Sequence, residues 1–187
     1  MITLLGLPCY AVRSLFRNIL GWQAENDIMG GYFMSDVAAW LMQVDRTSRV
    51  AVGQLELIHI IAVPEYLEVP RAPDYCKRIV LWNNKIVPVV DISMLINKTS
   101  AYYQHNAVAI ALYYDPDNQD LKYGGIQLTD MPVLDKVNND QHIAEAELSV
   151  KWKRISLSGY RRKDNDIIPI LDVQRLFSPG INLLSSP

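Results

Sequence analysis

The residues of this sequence that could support catalysis or metal binding are three histidines and a set of scattered aspartates. His59, His105 and His142 lie in different segments, and none has a carboxylate at a spacing typical of a metal site or a catalytic pair. A lone histidine on a strand is more often a structural residue than a ligand. The sequence has no Gly-rich phosphate loop, zinc spacing or nucleophile elbow. We therefore predict that the chain is not an enzyme and that it holds neither a metal nor a cofactor.

One acidic cluster has some likeness to a calcium-binding loop. It contains Asp115, Asp117 and Asp120. The sixth position of such a loop is normally glycine but is Asp120 here, and the twelfth position is Ile126 where a glutamate is needed. The cluster is therefore predicted to form a surface turn.

A duplicated segment carries two further aspartates. Residues 86–96 (IVPVVDISMLI) and 167–177 (IIPILDVQRLF) repeat isoleucine, proline, aspartate and leucine at equivalent positions. Because proline lacks an N–H donor, each copy predicts a strand whose proline lies at a sheet edge or a bulge. Asp91 and Asp172 are then predicted to be N-caps, since a carboxylate accepts the free N–H groups of a first helical turn. Paired catalytic carboxylates are the alternative, but the capping role explains both residues without it.

The composition is that of an ordinary soluble globular domain. Of the 187 residues 50% are hydrophobic and 20% are charged, with a formal net charge of −2 and a pI near 5.9. The locally basic runs 151–154 and 161–163 lie close to acidic residues and are predicted to be solvated surface. No basic stripe is present to neutralise the phosphates of a nucleic acid. The sequence has no run of about 18 apolar residues, so no membrane insertion is expected.

The two cysteines and the first residues of the chain bear on its compartment. Cys9 and Cys76 form no CxxC pair, which is typical of a reducing compartment. Residues 1–8 are apolar but have no charged region before them, so a signal peptide is a poor fit. We expect the protein to be cytoplasmic.

The elements that position these residues begin with an amphipathic stretch. Apolar residues at helical spacing predict a helix over residues 11–20, followed by a linker over residues 26–33 with two adjacent glycines. The helix is predicted to pack on the rest of the chain, and docking to a partner or to a membrane surface is the alternative. The apolar stripe of this helix consists of Val12, Leu15, Phe16, Ile19 and Leu20.

From residue 36 onward the pattern is that of short strands. Asn83-Asn84 predicts a two-residue hairpin, because asparagine tolerates positive φ. Residues 143–158 are ambiguous between a helix and a strand. Many short strands separated by turn residues predict an all-β barrel or sandwich with minor α content. The segments predicted to be strands are 38–44, 50–61, 78–82, 85–90, 107–114, 123–128 and 131–137.

In this order, the segments resemble the CheW-like domain of bacterial chemotaxis adaptors, from about residue 37 to residue 177. The motifs that carry the resemblance are the Val-Pro-x-x-Pro connection at 69–73, the apolar Pro–Asp strand at 86–91, the stretch from Gly125 to Asp130, and the Ile-Leu-Asp segment that opens 170–177. The resemblance implies an all-β fold made of two intertwined five-stranded β-barrels, with an added N-terminal helix.

The resemblance also implies a division of the chain. Residues 1–35 would be the N-terminal helix and its linker. Residues 36–177 would be the CheW-like domain, in which the C-terminal segment returns to the first barrel. Residues 178–187 would be a peripheral tail.

The function that the resemblance implies is that of a non-enzymatic scaffold in chemotaxis. Such an adaptor couples the cytoplasmic tip of a methyl-accepting receptor to a chemotaxis histidine kinase. Two departures indicate a divergent member, such as one that serves a type IV pilus system and twitching motility. His59 stands where the family usually has glutamate, and Asn83 stands where it usually has the hairpin arginine. The candidate protein-binding residues are His59, Arg71, Leu81, Trp82, Asn83, Asn84 and Lys85.

Two other classes of function remain open from the residues alone. A β-barrel module unrelated to chemotaxis would bind a small ligand or a nucleic acid through a basic or aromatic groove. An enzyme would require His59, Asp91 or Asp172 to cluster in one open pocket.

Overall fold

The structure is a computed structural model that describes residues 37–98 and 107–178 of the 187-residue chain. The predicted helix over 11–20, the predicted linker over 26–33 and all but the first residue of the predicted tail lie outside the described residues. The domain boundaries derived from the resemblance stay predictions.

Within the described ranges the chain is mostly β, as predicted. The strands are β1 (Val37–Gln43), β2 (Arg49–Gly53), β3 (Leu57–Ile61), β4 (Leu67–Glu68), β5 (Arg78–Trp82), β6 (Lys85–Val90), β7 (Ala107–Asp115), β8 (Asp120–Leu128), β9 (Val133–Val137), β10 (His142–Ala144), β11 (Ser156–Arg161) and β12 (Ile167–Leu171). The helices are α1 (Ile92–Asn97), α2 (Val150–Lys153) and α3 (Val173–Leu176), and 3-10 turns occur at Asp74–Cys76, Asn139–Gln141 and Glu145–Glu147.

The strands form two sheets. Sheet A has the order β10-β11-β12-β2-β1-β9, and sheet B has the order β3-β7-β8-β6-β5-β4. The resemblance implied five strands in each barrel, whereas among the described residues each sheet has six. The two-residue strand β4 lies at one edge of sheet B, and the three-residue strand β10 lies at one edge of sheet A. The chain thus builds part of sheet A, then sheet B, and finally returns to sheet A with β9 to β12.

The two copies of the duplicated segment occupy equivalent places in the two sheets. In sheet B, β6 is the second strand of an antiparallel hairpin with β5 and then pairs in parallel with β8. In sheet A, β12 follows β11 in the same way and pairs in parallel with β2. The repeat therefore marks one supersecondary unit used twice.

The prediction that the repeated prolines lie at an edge or a bulge is wrong. Pro88 and Pro169 lie in β6 and β12, which are interior strands of their sheets. On the parallel side of each strand, the first paired residue comes directly after the proline, at Val89 and at Ile170. The missing N–H group is tolerated because the proline precedes the start of that ladder.

The predicted strand over residues 50–61 is two strands in different sheets. It breaks after Gly53, and residues 54–56 cross from β2 in sheet A to β3 in sheet B. Val52 and Leu57, on either side of the break, are buried in the same core, so the sequence is apolar on both sides of it. The ambiguous segment 143–158 contains the end of β10, a 3-10 turn, α2 and the start of β11.

The largest hydrophobic cluster lies between the two sheets, and we call it the shared core. Strand β7 shows how the sequence builds it: Ala107, Ala109 and Ala111 pack in the shared core, while Val108 and Ile110 pack in a second cluster on the other face of sheet B. A strand that is buried on both faces reads as a continuous apolar run. The buried residues of the shared core include Met42, Val50 and Val52 from sheet A, Val44 directly after β1, and Val90, Ile126 and Leu128 from sheet B.

The end of the described chain is fastened to sheet B by an aromatic ring. Phe177, which follows α3, stacks on Tyr113 with ring centroids 5.2 Å apart and an interplanar angle of 17°. The same ring occupies the space next to Gly124 on β8, where any added Cβ atom would overlap it. The segment that completes sheet A is therefore held against sheet B.

Candidate protein-binding surface

The hairpin between β5 and β6 has the geometry that its sequence predicts. Trp82 pairs with Lys85, and the two loop residues Asn83 and Asn84 have φ values of 48° and 60°. Two consecutive residues with positive φ are typical of a type I′ turn, in which asparagine is well tolerated. Asn83, Asn84 and Lys85 are all exposed.

The hairpin continues into a surface that we call the outer apolar face. It consists of Leu67, Ile79, Leu81, Ile86 and Pro88. Leu67 lies opposite Ile79, which lies opposite Pro88, and Leu81 lies opposite Ile86. Directly opposed residues of antiparallel strands point to the same side of a sheet, so these five side chains are neighbours. Leu67, Leu81 and Ile86 are 61%, 65% and 71% exposed.

Strand alternation explains why these residues are exposed. Val80, Val87 and Val89 point to the opposite side of sheet B and are buried there. Their neighbours along β5 and β6 must then point outward. Of the five residues, only Leu81 was among the candidates named from the sequence. The alternation of the predicted strands 78–82 and 85–90 indicates that Ile79, Ile86 and Pro88 face the same side as Leu81. Leu67 lies on β4, a strand that the sequence does not predict.

An aromatic cluster supports the base of the hairpin. The rings of His59 and Trp82 are 5.7 Å apart, and those of Trp82 and Tyr123 are 5.2 Å apart in an edge-to-face arrangement. The ammonium group of Lys85 lies 4.4 Å from the centre of the Tyr123 ring. Such contacts contribute about 0.5–1 kcal/mol each at exposed sites. The structure thus brings together His59, Trp82 and Lys85, and adds Tyr123, which the sequence did not single out.

Arg71 does not join this group. In the antiparallel pair of β4 and β5, Glu68 lies opposite Arg78, so the chain that follows β4 runs past the start of β5. Arg71 is an exposed residue on that stretch, with a φ of 62°. The tip at Asn83 lies at the other end of β5, roughly 13 Å away along the strand at about 3.3 Å per residue. Arg71 thus follows β4 at the end of β5 that is remote from the hairpin, and its role in protein binding stays a prediction.

The residues that an enzyme would have to gather belong to three different elements. The carboxylate of Asp91 accepts a 2.9 Å hydrogen bond from the Met94 N–H at the start of α1, and that of Asp172 accepts one from the Arg175 N–H at the start of α3. Both are N-caps, as predicted. His59 lies on β3 beside the hairpin. In the described part of the chain, no three His, Cys, Asp or Glu side chains are grouped so that they could hold a metal ion.

The acidic cluster with a likeness to a calcium loop is a hairpin turn between β7 and β8. Asp115 accepts hydrogen bonds from the Asp117 N–H at 3.0 Å and the Asn118 side chain at 2.7 Å, and it forms an ion pair with Lys122. These hydrogen bonds lower the pKa of Asp115 to about 2, and the bond from Lys122 has the largest effect. The prediction of a surface turn is confirmed.

One basic run predicted to be solvated surface takes part in a charged network on sheet A. Arg162 forms an ion pair with Asp135 at 3.2 Å, and Asp135 also accepts a 3.1 Å hydrogen bond from the hydroxyl of the buried Tyr160. Arg49 pairs with Asp166 at 2.6 Å. Arg162 is therefore held against sheet A by the carboxylate of Asp135, which lies on β9.

The described residues contain no helix that combines the length and the apolar character needed to span a membrane.

Comparison with known proteins agrees with this architecture. Residues 40–179, which are most of the chain, match the family model of the CheW-like domain. The structure is similar to the crystal structure of the scaffolding protein TtCheW from Thermoanaerobacter tengcongensis, with a TM-score of 0.61 and 12% sequence identity, covering 77% of this chain and 94% of that chain. No curated protein matches the chain in sequence. The chain belongs to the CheW-like domain family.

Proposed function

We propose that this protein is a non-enzymatic adaptor of a bacterial chemosensory system, which acts in the cytoplasm. It couples the cytoplasmic tip of a methyl-accepting receptor to a histidine kinase. Membership of the CheW-like family supports this role. The observation that carries the proposal in this chain is the outer apolar face beside the hairpin, where three large apolar side chains are more than half exposed.

The outer apolar face has the properties of the centre of a protein interface. Its five residues are uncharged, and they stand on neighbouring strands of one sheet. Full burial of a Leu or Ile side chain contributes about 1.5–3 kcal/mol. Burial of the exposed parts of Leu67, Leu81 and Ile86 would therefore contribute several kcal/mol before the entropic costs of association. A transient complex with a micromolar Kd requires about 8 kcal/mol in total.

The hairpin tip would supply the polar rim of the same interface. Asn83 and Asn84 offer amide donors and acceptors there. Lys85 lies opposite Trp82 and points to the other side of sheet B, where its ammonium group lies over the Tyr123 ring. Asn83 stands where the resemblance implies an arginine. Apolar burial thus replaces charge as the main source of affinity at this hairpin. A specialised setting, such as a type IV pilus system that drives twitching motility, is consistent with this change.

Co-purification of the full chain with the receptors and histidine kinases of the same genome tests the proposal. The expected result is capture of a kinase and of a receptor, each in a complex that survives gel filtration at micromolar concentration. Absence of binding to both would contradict the coupling role while leaving the family membership unaffected.

A further inference from the structure

The edge of sheet B beside the hairpin is only partly filled. Strand β4 is the edge strand there, and it pairs with β5 only over Leu67–Glu68. Residues 62–66, which precede β4, form no ladder with β5. The hairpin half of β5, residues 80–82, is therefore paired with β6 but with no described strand on its other side. We call this side of residues 80–82 the unpaired edge.

The backbone of Leu81 points toward the unpaired edge. Successive residues in an antiparallel ladder direct their N–H and C=O groups alternately to the neighbour on either side. Lys77 uses its C=O group on the β4 side, where it accepts a 2.8 Å hydrogen bond from the Val69 N–H. Ile79 and Leu81 follow at intervals of two residues, so their backbone groups point to the same side. Ile79 lies opposite Leu67, whereas Leu81 has no backbone partner there among the described residues.

Apolar and aromatic side chains lie on both sides of the unpaired edge. On the outer side, Leu81 lies opposite Ile86, and both are more than half exposed. On the inner side, the ring of Trp82 lies 5.7 Å from that of the exposed His59. His59 belongs to β3, at the opposite edge of sheet B, and no ladder in the described chain joins β3 to β5. A strand added beside residues 80–82 would therefore bury its alternate side chains against the outer apolar face and against this aromatic pair.

We propose that the partner binds at the unpaired edge by adding an extended segment to sheet B, in line with β4. The segment exchanges backbone hydrogen bonds with Leu81, which requires that no proline lies opposite that residue. Because both sides of the edge are apolar or aromatic, the segment is a continuous run of apolar residues. This inference rests on the proposed coupling role and states how the partner is held.

Hydrogen exchange at single amides separates strand addition from docking through side chains alone. In the free full-length chain, the Leu81 amide should exchange much faster than that of Val80, whose backbone points toward β6. In the complex with the histidine kinase or with the receptor of the same genome, exchange at Leu81 should slow by about tenfold or more, because the added strand accepts this N–H. A Leu81 amide that is already protected in the free chain, or whose rate neither partner changes, would overturn the proposal.

A pair of substitutions separates the backbone contribution from that of the side chain. Leu81→Ala shortens the side chain and keeps the N–H group, whereas Leu81→Pro removes the N–H group as well. Proline is tolerated where the N–H of a strand faces solvent, so Leu81→Pro should stay folded. Its Kd for the partner should exceed that of Leu81→Ala by about tenfold. Equal Kd values for the two folded variants would overturn the proposal, and if Leu81→Pro fails to fold, the exchange rates of the wild-type chain decide.

The same measurements distinguish strand addition from the coupling role itself. A wild-type chain that binds neither the kinase nor the receptor overturns both. A wild-type complex in which exchange at Leu81 is unchanged, or in which Leu81→Pro binds as tightly as Leu81→Ala, overturns strand addition alone and leaves the coupling role in place.

Discussion

At the scale of single residues, Asp91 and Asp172 have the same task in the two halves of the molecule. Each carboxylate satisfies a backbone N–H group that the helix after it leaves without a partner. Asp91 is buried, with 6% of its surface exposed. Both aspartates could be predicted from the sequence because a cap depends on residues within one turn of the chain.

Replacing Asp91 by alanine should destabilise the chain by about 1 kcal/mol, the usual contribution of an N-cap. Asp91→Asn is the matched control, since asparagine is an equally good cap and should restore most of the loss. Urea unfolding of the three chains measures the difference. Equal losses for alanine and asparagine would show that the carboxylate has another role.

Tyr123 could not be found in this way. Its position against Trp82 depends on how sheet B curls. The contact joins residues far apart in sequence. Local spacing carries no information about it.

At the scale of elements, the hairpin of β5 and β6 is the part that local sequence determines best. Its register follows from the two asparagines, because their positive φ values fix the turn. The break at residues 54–56 is not predicted from the sequence, because apolar residues on both sides of Gly53 favour one continuous strand. Strand β4 has only two residues, which is too short for any periodic pattern to reveal.

Replacing Asn84 by glycine should leave the hairpin intact or stabilise it slightly, whereas Asn84→Val should cost at least about 1 kcal/mol. The reason is that a β-branched residue strongly disfavours the φ of 60° found there, and glycine adopts it freely. Thermal unfolding of both variants measures the effect. A valine variant as stable as the glycine variant would contradict the type I′ geometry.

The contact of Phe177 with Gly124 can be tested by a double-mutant cycle. Gly124→Ala should cost about 1–3 kcal/mol, because the added methyl group overlaps the Phe177 ring and the core must shift. In a Phe177→Leu background the same substitution should cost clearly less, since the ring is gone. Unfolding free energies from urea titrations give the coupling. Additive effects would show that the ring does not occupy that space in solution.

At the scale of the whole molecule, two sheets with the same repeated unit share one core. The duplicated segment gives each sheet one strand with an antiparallel partner on one side and a parallel partner on the other. The duplication carries no information about the binding partner of the molecule. A surface such as the outer apolar face shows what chemistry it can bury, but the identity of the protein that covers it depends on residues outside this chain.

Binding at the outer apolar face should depend little on salt, because its five residues are uncharged. We expect the Kd for the kinase or receptor to change less than about threefold between about 0.05 and about 0.5 M NaCl, since screening acts on charges. Titration calorimetry at several salt concentrations measures this. A loss of affinity of about a hundredfold would instead indicate an interface held by charge.

The central claim is that this chain couples proteins through the hairpin and the outer apolar face, and one binding measurement tests it most directly. Leu81→Glu places a charge in the middle of that face, where the native side chain is 65% exposed. Val150→Glu is the control, with a 71% exposed side chain on α2. Leu81→Glu should raise the Kd for the kinase or the receptor at least tenfold, about 1.4 kcal/mol, while Val150→Glu leaves it unchanged. Wild-type affinity in a folded Leu81→Glu chain would contradict the account.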